Sequence, residues 1–152
     1  MKATALAFTL LLGVAILPAS AHDAEHFSAG EPGNPKKPAR TIYVTMYDDD
    51  GTMKFVPARL DVKTGEQVRF IIQNKGEVKH EFTLASVEDN NKHAELMKKY
   101  PEMEHDDPNS KTVDPGKTAE ILWRFSKTGT FEFACLIPGH REVGMHGAVT
   151  VK

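Results

Sequence analysis

The chain has 152 residues, 19 Lys and Arg against 21 Asp and Glu, a formal charge of −2, and a single cysteine. That near-balance, with no basic tract, argues against a nucleic-acid partner, and the length allows one sizeable core plus extras. One cysteine excludes an internal disulfide and leaves the thiol free, intermolecular or a ligand. Residues 1–21 read as a secretory signal: Lys2, an apolar stretch from Ala5 to Leu17, and Ala19-Ser20-Ala21 as the cleavage site. The apolar stretch is shorter than the about 20 residues that a spanning helix needs. The expected product is an exported, periplasmic protein that starts at His22 and has no membrane span. A free thiol is a liability in an oxidising compartment, which favours the ligand reading of the cysteine.

Residues 22–40 are rich in Gly, Pro and Lys, and Pro32, Pro35 and Pro38 disfavour both helix and paired strand. They read as a flexible N-terminal arm. From Thr41 the pattern has period two, with Ile42, Val44 and Met46 on one face, closed by a turn at Asp48-Asp49-Asp50-Gly51. The three aspartates lack the later glutamate of a calcium loop and read as a solvated turn. Phe55-Val56-Pro57 and Arg59 to Val62 form a short, Pro-interrupted edge strand. Gln67 to Gln73 and Lys79 to Ala85 are the next strands. Residues 86–109 then break the rhythm as an insertion, with a helix over Val87 to Tyr100 that Pro101 stops. Short strands follow at Thr112-Val113, Thr118 to Phe125, Gly129 to Ala134 and Ala148 to Lys152. Short strands separated by turns predict an all-β antiparallel sandwich or barrel over 41–152, with the insertion outside it.

The last two strands bracket a loop that carries Cys135, His140 and Met145. Cys135 shares a face with Phe131 and Phe133, so its thiol points to the core. Buried cysteine, surface histidine and core methionine are each ordinary alone. Together on one loop they form a thiolate, imidazole and thioether set, which suits copper. His80 is the obvious second imidazole. Zinc fits less well, because structural zinc sites seldom use Met.

Residues 41–152 resemble the cupredoxins, the type 1 copper proteins that include plastocyanin, pseudoazurin, azurin and auracyanin. The resemblance implies a Greek-key β-sandwich with one type 1 copper. Its ligands would be His80 on a mid-chain strand and Cys135, His140 and Met145 on the last loop. Four residues separate Cys135 from His140, as in azurin rather than plastocyanin, with one more residue before Met145. Glu81 stands where azurins commonly have Asn. An exposed edge of His140 would dock a redox partner protein, and a monomer is expected.

The arm and the insertion add histidine and methionine: His22, His26, His93, Met97, Met103 and His105, with His146 after the axial Met. This pattern resembles the CopI group of exported cupredoxins linked to bacterial copper tolerance. It marks His22, His26, Met103 and His105 as candidate accessory ligands of a second copper site. Exposed histidines on polar segments more often bind nothing. The expected role is copper tolerance and copper handling; the alternative is a soluble electron carrier of a respiratory or photosynthetic chain. An enzyme is not expected, since copper oxidases and nitrite reductases need more copper sites and more domains.

Overall fold

The computed structural model describes residues 27–49 and 51–152, so the signal stretch, His22 and His26 lie outside the described residues. The described chain runs β1 Glu31–Pro32, β2 Arg40–Asp49, β3 Thr52–Val56, β4 Arg59–Val62, β5 Gln67–Asn74, β6 His80–Ala85, α1 Val87–Lys99, β7 Ser110–Val113, β8 Thr118–Arg124, β9 Gly129–Ala134 and β10 His146–Val151. One sheet has the order β1-β8-β5-β2-β3 and the other β4-β10-β9-β6-β7. This is the expected all-β Greek-key sandwich with one short helical insertion.

Two strand pairs depart from the antiparallel expectation. β2 runs parallel to β5, with Ile42 opposite Phe70, and β4 runs parallel to β10, with Leu60 opposite Val149. Parallel neighbours need a crossover rather than a hairpin. The crossover arises because the chain changes sheets between β3 and β4 and changes back before β5. Pro57 lies at the first change. The segment expected to be a single interrupted edge strand is therefore two, β3 and β4, each at the edge of a different sheet.

The inner faces carry the alternating apolar residues. Val44, Met46, Phe70, Ile72, Ile121 and Trp123 from one sheet meet Phe82, Leu84, Phe133 and Val149 from the other, all 1% exposed or less. Phe82 stacks on Phe133 with centroids 5.2 Å apart, and Phe55 meets Phe133 edge-on at 5.3 Å. Burying each such ring contributes about 1.5–3 kcal/mol.

β6 is buried at all six positions. His80, Phe82 and Leu84 take the face towards the core. Glu81, Thr83 and Ala85 take the outer face, which the insertion covers. α1 starts with Ser86 as N-cap, accepting the Asp89 N–H, and ends at Tyr100. Met97 packs against Ala134 and Leu136, with Ala94 beside it. Buried Asn90 donates to the Glu132 carboxylate at 2.9 Å, and Arg141 pairs with the same carboxylate.

Residues 27–40, expected to be a flexible arm, lie against the sandwich. β1 pairs with β8, and Trp123 Nε1 donates to the Ala29 carbonyl at 3.2 Å. Phe27 meets the Trp123 ring edge-on at 5.3 Å. The Gln67 amide accepts the Asn34 N–H at 2.7 Å and donates to the Asn34 carbonyl at 3.0 Å. Proline bars a central strand but not an edge strand, which is where Pro32 sits.

Candidate metal centre

Three predicted ligands converge at one end of the sandwich. His80 opens β6, Cys135 follows β9, and His140 sits on the loop that leads to β10. His80 Nδ1 lies 3.2 Å from His140 Nδ1, which lies 3.3 Å from Cys135 Sγ. His80 and Cys135 are fully buried and His140 is partly exposed. Donors bonded at about 2.0 Å to one cation in a trigonal plane would stand about 3.5 Å apart. The triangle therefore fits a metal, and a thiolate with two imidazoles fits copper.

Local folding explains the placement. The loop closes through backbone bonds: the Cys135 N–H donates to the Met145 carbonyl at 3.0 Å and the Met145 N–H to the His140 carbonyl at 3.1 Å. Gly139 and Gly144 take positive φ, 93° and 111°, where a side chain would be strained. Met145 is fully buried in the core cluster that contains Cys135. On the other side, buried Asn74 holds the approach to His80 by donating to the Val78 and Val113 carbonyls.

The electrostatics suit neutral imidazoles and a thiolate formed only with metal. Burial pushes the Cys135 thiol up to about 12. Metal binding must displace that proton. The Glu81 N–H donates to Cys135 Sγ at 3.3 Å, which favours the thiolate. Burial lowers both histidines, and the His140 imidazole further disfavours charge on His80.

Asp48 is a participant that the sequence reading left in a solvated turn. It belongs to β2, and its carboxylate accepts the Glu77 and Val78 N–H groups at 2.7 and 2.9 Å. Burial would raise it, yet these two amides and His80 hold it below the ordinary carboxylate range. Its Oδ2 lies 3.2 Å from His80 Nε2, close to the ring but not aligned as a hydrogen bond. A carboxylate behind a ligand histidine orients the ring. Gly76 makes this approach feasible, because a Cβ there would strike the Asp48 carboxylate. The only sequence signals were an aspartate and a glycine, both ordinary in turns.

The candidate accessory residues divide. His105 is 9% exposed and meets His93, Met97 and Glu81 on the outer face of β6. Met103 is 38% exposed and lines a shallow depression with Lys79 and Ile137. The His146 side chain is 55% exposed, with Nδ1 3.9 Å from Glu132. Glu81 was not foreseen as part of this group. Its carboxylate is buried, accepts the Leu136 N–H at 3.2 Å, and is raised by desolvation.

Comparison with known proteins agrees with this geometry. The profile of copper binding proteins of the plastocyanin/azurin family matches residues 42–152. The copper-resistant cuproprotein CopI of Rubrivivax gelatinosus is 47% identical over 134 residues, spanning 88% of this chain and 79% of that protein. The protein of the same name from Pseudomonas aeruginosa is 34% identical over 184 aligned positions, spanning 100% and 96%. Among solved structures, auracyanin B aligns with a TM-score of 0.63 and 22% identity over 83% of this chain and 98% of its own, a likeness of fold alone. No helix among the described residues is long and apolar enough to cross a membrane. The chain belongs to the plastocyanin/azurin family of copper-binding proteins and is a CopI-like cupredoxin.

Proposed function

We propose that this cupredoxin handles copper in the periplasm and acts in copper tolerance, through one redox-active copper held by His80, Cys135, His140 and Met145. The observation that carries the site is the convergence of His80, Cys135 and His140: His140 Nδ1 lies 3.2 Å from His80 Nδ1 and 3.3 Å from Cys135 Sγ, all three ligand atoms lie within 4.8 Å of one another, and the Cys135 side is closed off from water. The copper supplies one-electron chemistry between Cu(I) and Cu(II). The chain holds two imidazoles and a thiol in a frame of strands and loop bonds. Asp48 orients His80, and the Glu81 N–H supports charge on sulfur. Met145, buried in the same cluster as Cys135, would supply a soft thioether donor. A frame that moves little between oxidation states keeps the cost of electron transfer low.

The tolerance role is supported by the name of the relatives, copper-resistant cuproprotein, and by partly buried His93 with buried Met97 and His105 outside the core site. Export is supported by the signal pattern of residues 1–21. A soluble electron carrier is the second reading. The partly exposed His140, on the same loop as exposed Val143, favours it as a docking edge for a redox protein. Both readings describe a binding and redox protein rather than an enzyme.

Titration of the purified protein with Cu(II) should raise an intense thiolate-to-copper visible band at one equivalent. Cys135→Ser should abolish the band. A Cys135→Ser protein that keeps it would refute the assignment. A strain lacking the protein should grow poorly in high copper; normal growth there would favour the carrier reading.

A further inference from the structure

We propose a second copper site on the outer face of β6, formed by His93, Met97, His105 and Glu81. Four donors of three types converge on His105. His105 Nε2 lies 3.0 Å from His93 Nε2, 3.3 Å from Glu81 Oε1 and 3.4 Å from Met97 Sδ. Donors around one tetrahedral cation with bonds of about 2.0 Å stand about 3.3 Å apart. Glu81, His93 and His105 ligand atoms also lie within 4.8 Å of one another as a set.

Hydrogen bonding alone does not account for this convergence. His105 Nε2 has one proton or one lone pair, so it can serve one neighbour, not three. If it bonds to His93, the Glu81 Oε1 atom is left without a hydrogen bond, and Glu81 is 1% exposed. An unsatisfied buried acceptor is costly, more so when charged. A cation among the four donors satisfies all of them at once.

The surroundings are built to hold these donors. His93 and Met97 are four apart on α1, hence on one face of the helix. The His105 backbone is clamped to Thr112, donating to Oγ1 at 3.0 Å and accepting the Thr112 N–H at 3.0 Å. His105 Nδ1 lies 3.3 Å from Asp107 Oδ2, a carboxylate behind a ligand ring. A cleft of about 290 Å³, lined by Thr83, Asn90, His93, His105 and Ser110, leads in from solvent.

The donor set selects copper. Two imidazoles with a thioether suit Cu(I), and the same imidazoles with a carboxylate suit Cu(II). The thioether distinguishes the site from a zinc site of histidine and carboxylate. Glu81 also joins the two sites. It follows His80 in sequence, its N–H bonds Cys135 Sγ, and its Oε2 holds the Leu136 N–H. Metal on Oε1 would pull on the peptide that hydrogen-bonds the sulfur, so filling the second site should shift the visible band of the first.

This inference rests on the copper-handling reading, and the experiment separates the two. Full-length protein, H93A and the H93A/H105A double variant are loaded with copper, dialysed and counted by elemental analysis, with the visible spectrum recorded. The double variant should lose one copper equivalent relative to wild type while keeping the thiolate band, which also reports that it is folded. H93A, altered at a partly exposed helix position, should show the same loss in weaker form. M97L should lose Cu(I) affinity by about tenfold or more and keep Cu(II) loading. Equal copper counts in all four proteins, with the band intact, would overturn the second site and leave the first standing. Preferential loading of Zn(II) over copper would overturn it as well. A missing band in wild type would refute the Cys135 site alone, since the copper difference between the proteins would still decide this one.

Discussion

Asp48 stands behind the candidate ligand His80 without being one of the proposed donors. Its carboxylate gathers the Glu77 and Val78 N–H groups and stands behind His80. Asp48→Ala should lower copper affinity by about 10–100-fold, the usual cost of removing such a partner, with a smaller change in fold stability. Competition with a copper chelator would measure it, and an unchanged affinity would show that Asp48 serves the loop alone. Met145→Leu should leave copper bound but raise the reduction potential, because a soft donor is replaced by an apolar group. Protein-film voltammetry of the two proteins reads the direction. The candidate ligands Cys135, His140 and Met145 were legible because they share a loop between two strands. Asp48 was not, because three aspartates before a glycine look like a solvated turn.

Among the elements, β1 and α1 do most to distinguish this chain from a bare sandwich. β1 is held by Trp123, Arg124 and Gln67 rather than by any pattern of its own. Gly30 is central to that docking. Its φ is 138°, and a Cβ would run into the Arg124 carbonyl oxygen and crowd Trp123 Nε1. Gly30→Ala should cost about 1–3 kcal/mol through strain and lost docking, read as a lower urea midpoint with the thiolate band retained. An equal midpoint would mean that β1 contributes nothing to stability. α1 was visible from its spacing, because Asn90, Ala94 and Met97 form the buried stripe. What lay beneath the stripe was not, because β6 reads as an ordinary strand with one polar face.

At the scale of the whole molecule, copper and folding are linked. Copper bound to the native state alone should stabilise it by about 2.7 kcal/mol at a free concentration of 100 Kd. Chelation should therefore lower the Tm of wild type more than that of Cys135→Ser, as calorimetry would show. Acid should act through other groups too. Burial raises Glu66, but Arg40 and the Lys63 N–H outweigh it and hold its carboxyl below the ordinary range. A depressed carboxylate stabilises above its unfolded value and loses that contribution as pH falls through its folded value. The pair is partly exposed, so Glu66→Gln should cost no more than about 1 kcal/mol at pH 7. The difference in urea midpoint should shrink as pH falls below the ordinary carboxylate range; one that stays constant as the carboxyl is protonated would place the effect in packing rather than charge.

The amino-acid sequence by itself determined the class of fold, the face each strand turns inward and the four candidate ligands of the core site. The fold class follows from local periodicity, and Cys135, His140 and Met145 from their shared loop, with His80 added as the second imidazole that such a set needs. Tertiary structure decided the rest. It split the segment at Pro57 between two sheets, made two strand pairs parallel and docked residues 27–38 against β8 and Gln67 of β5. It also set Glu81 from β6 against His93 and Met97 from α1 and His105 from the segment after it. Such partners are distant in sequence, and no local pattern records which face of a strand a later helix will cover.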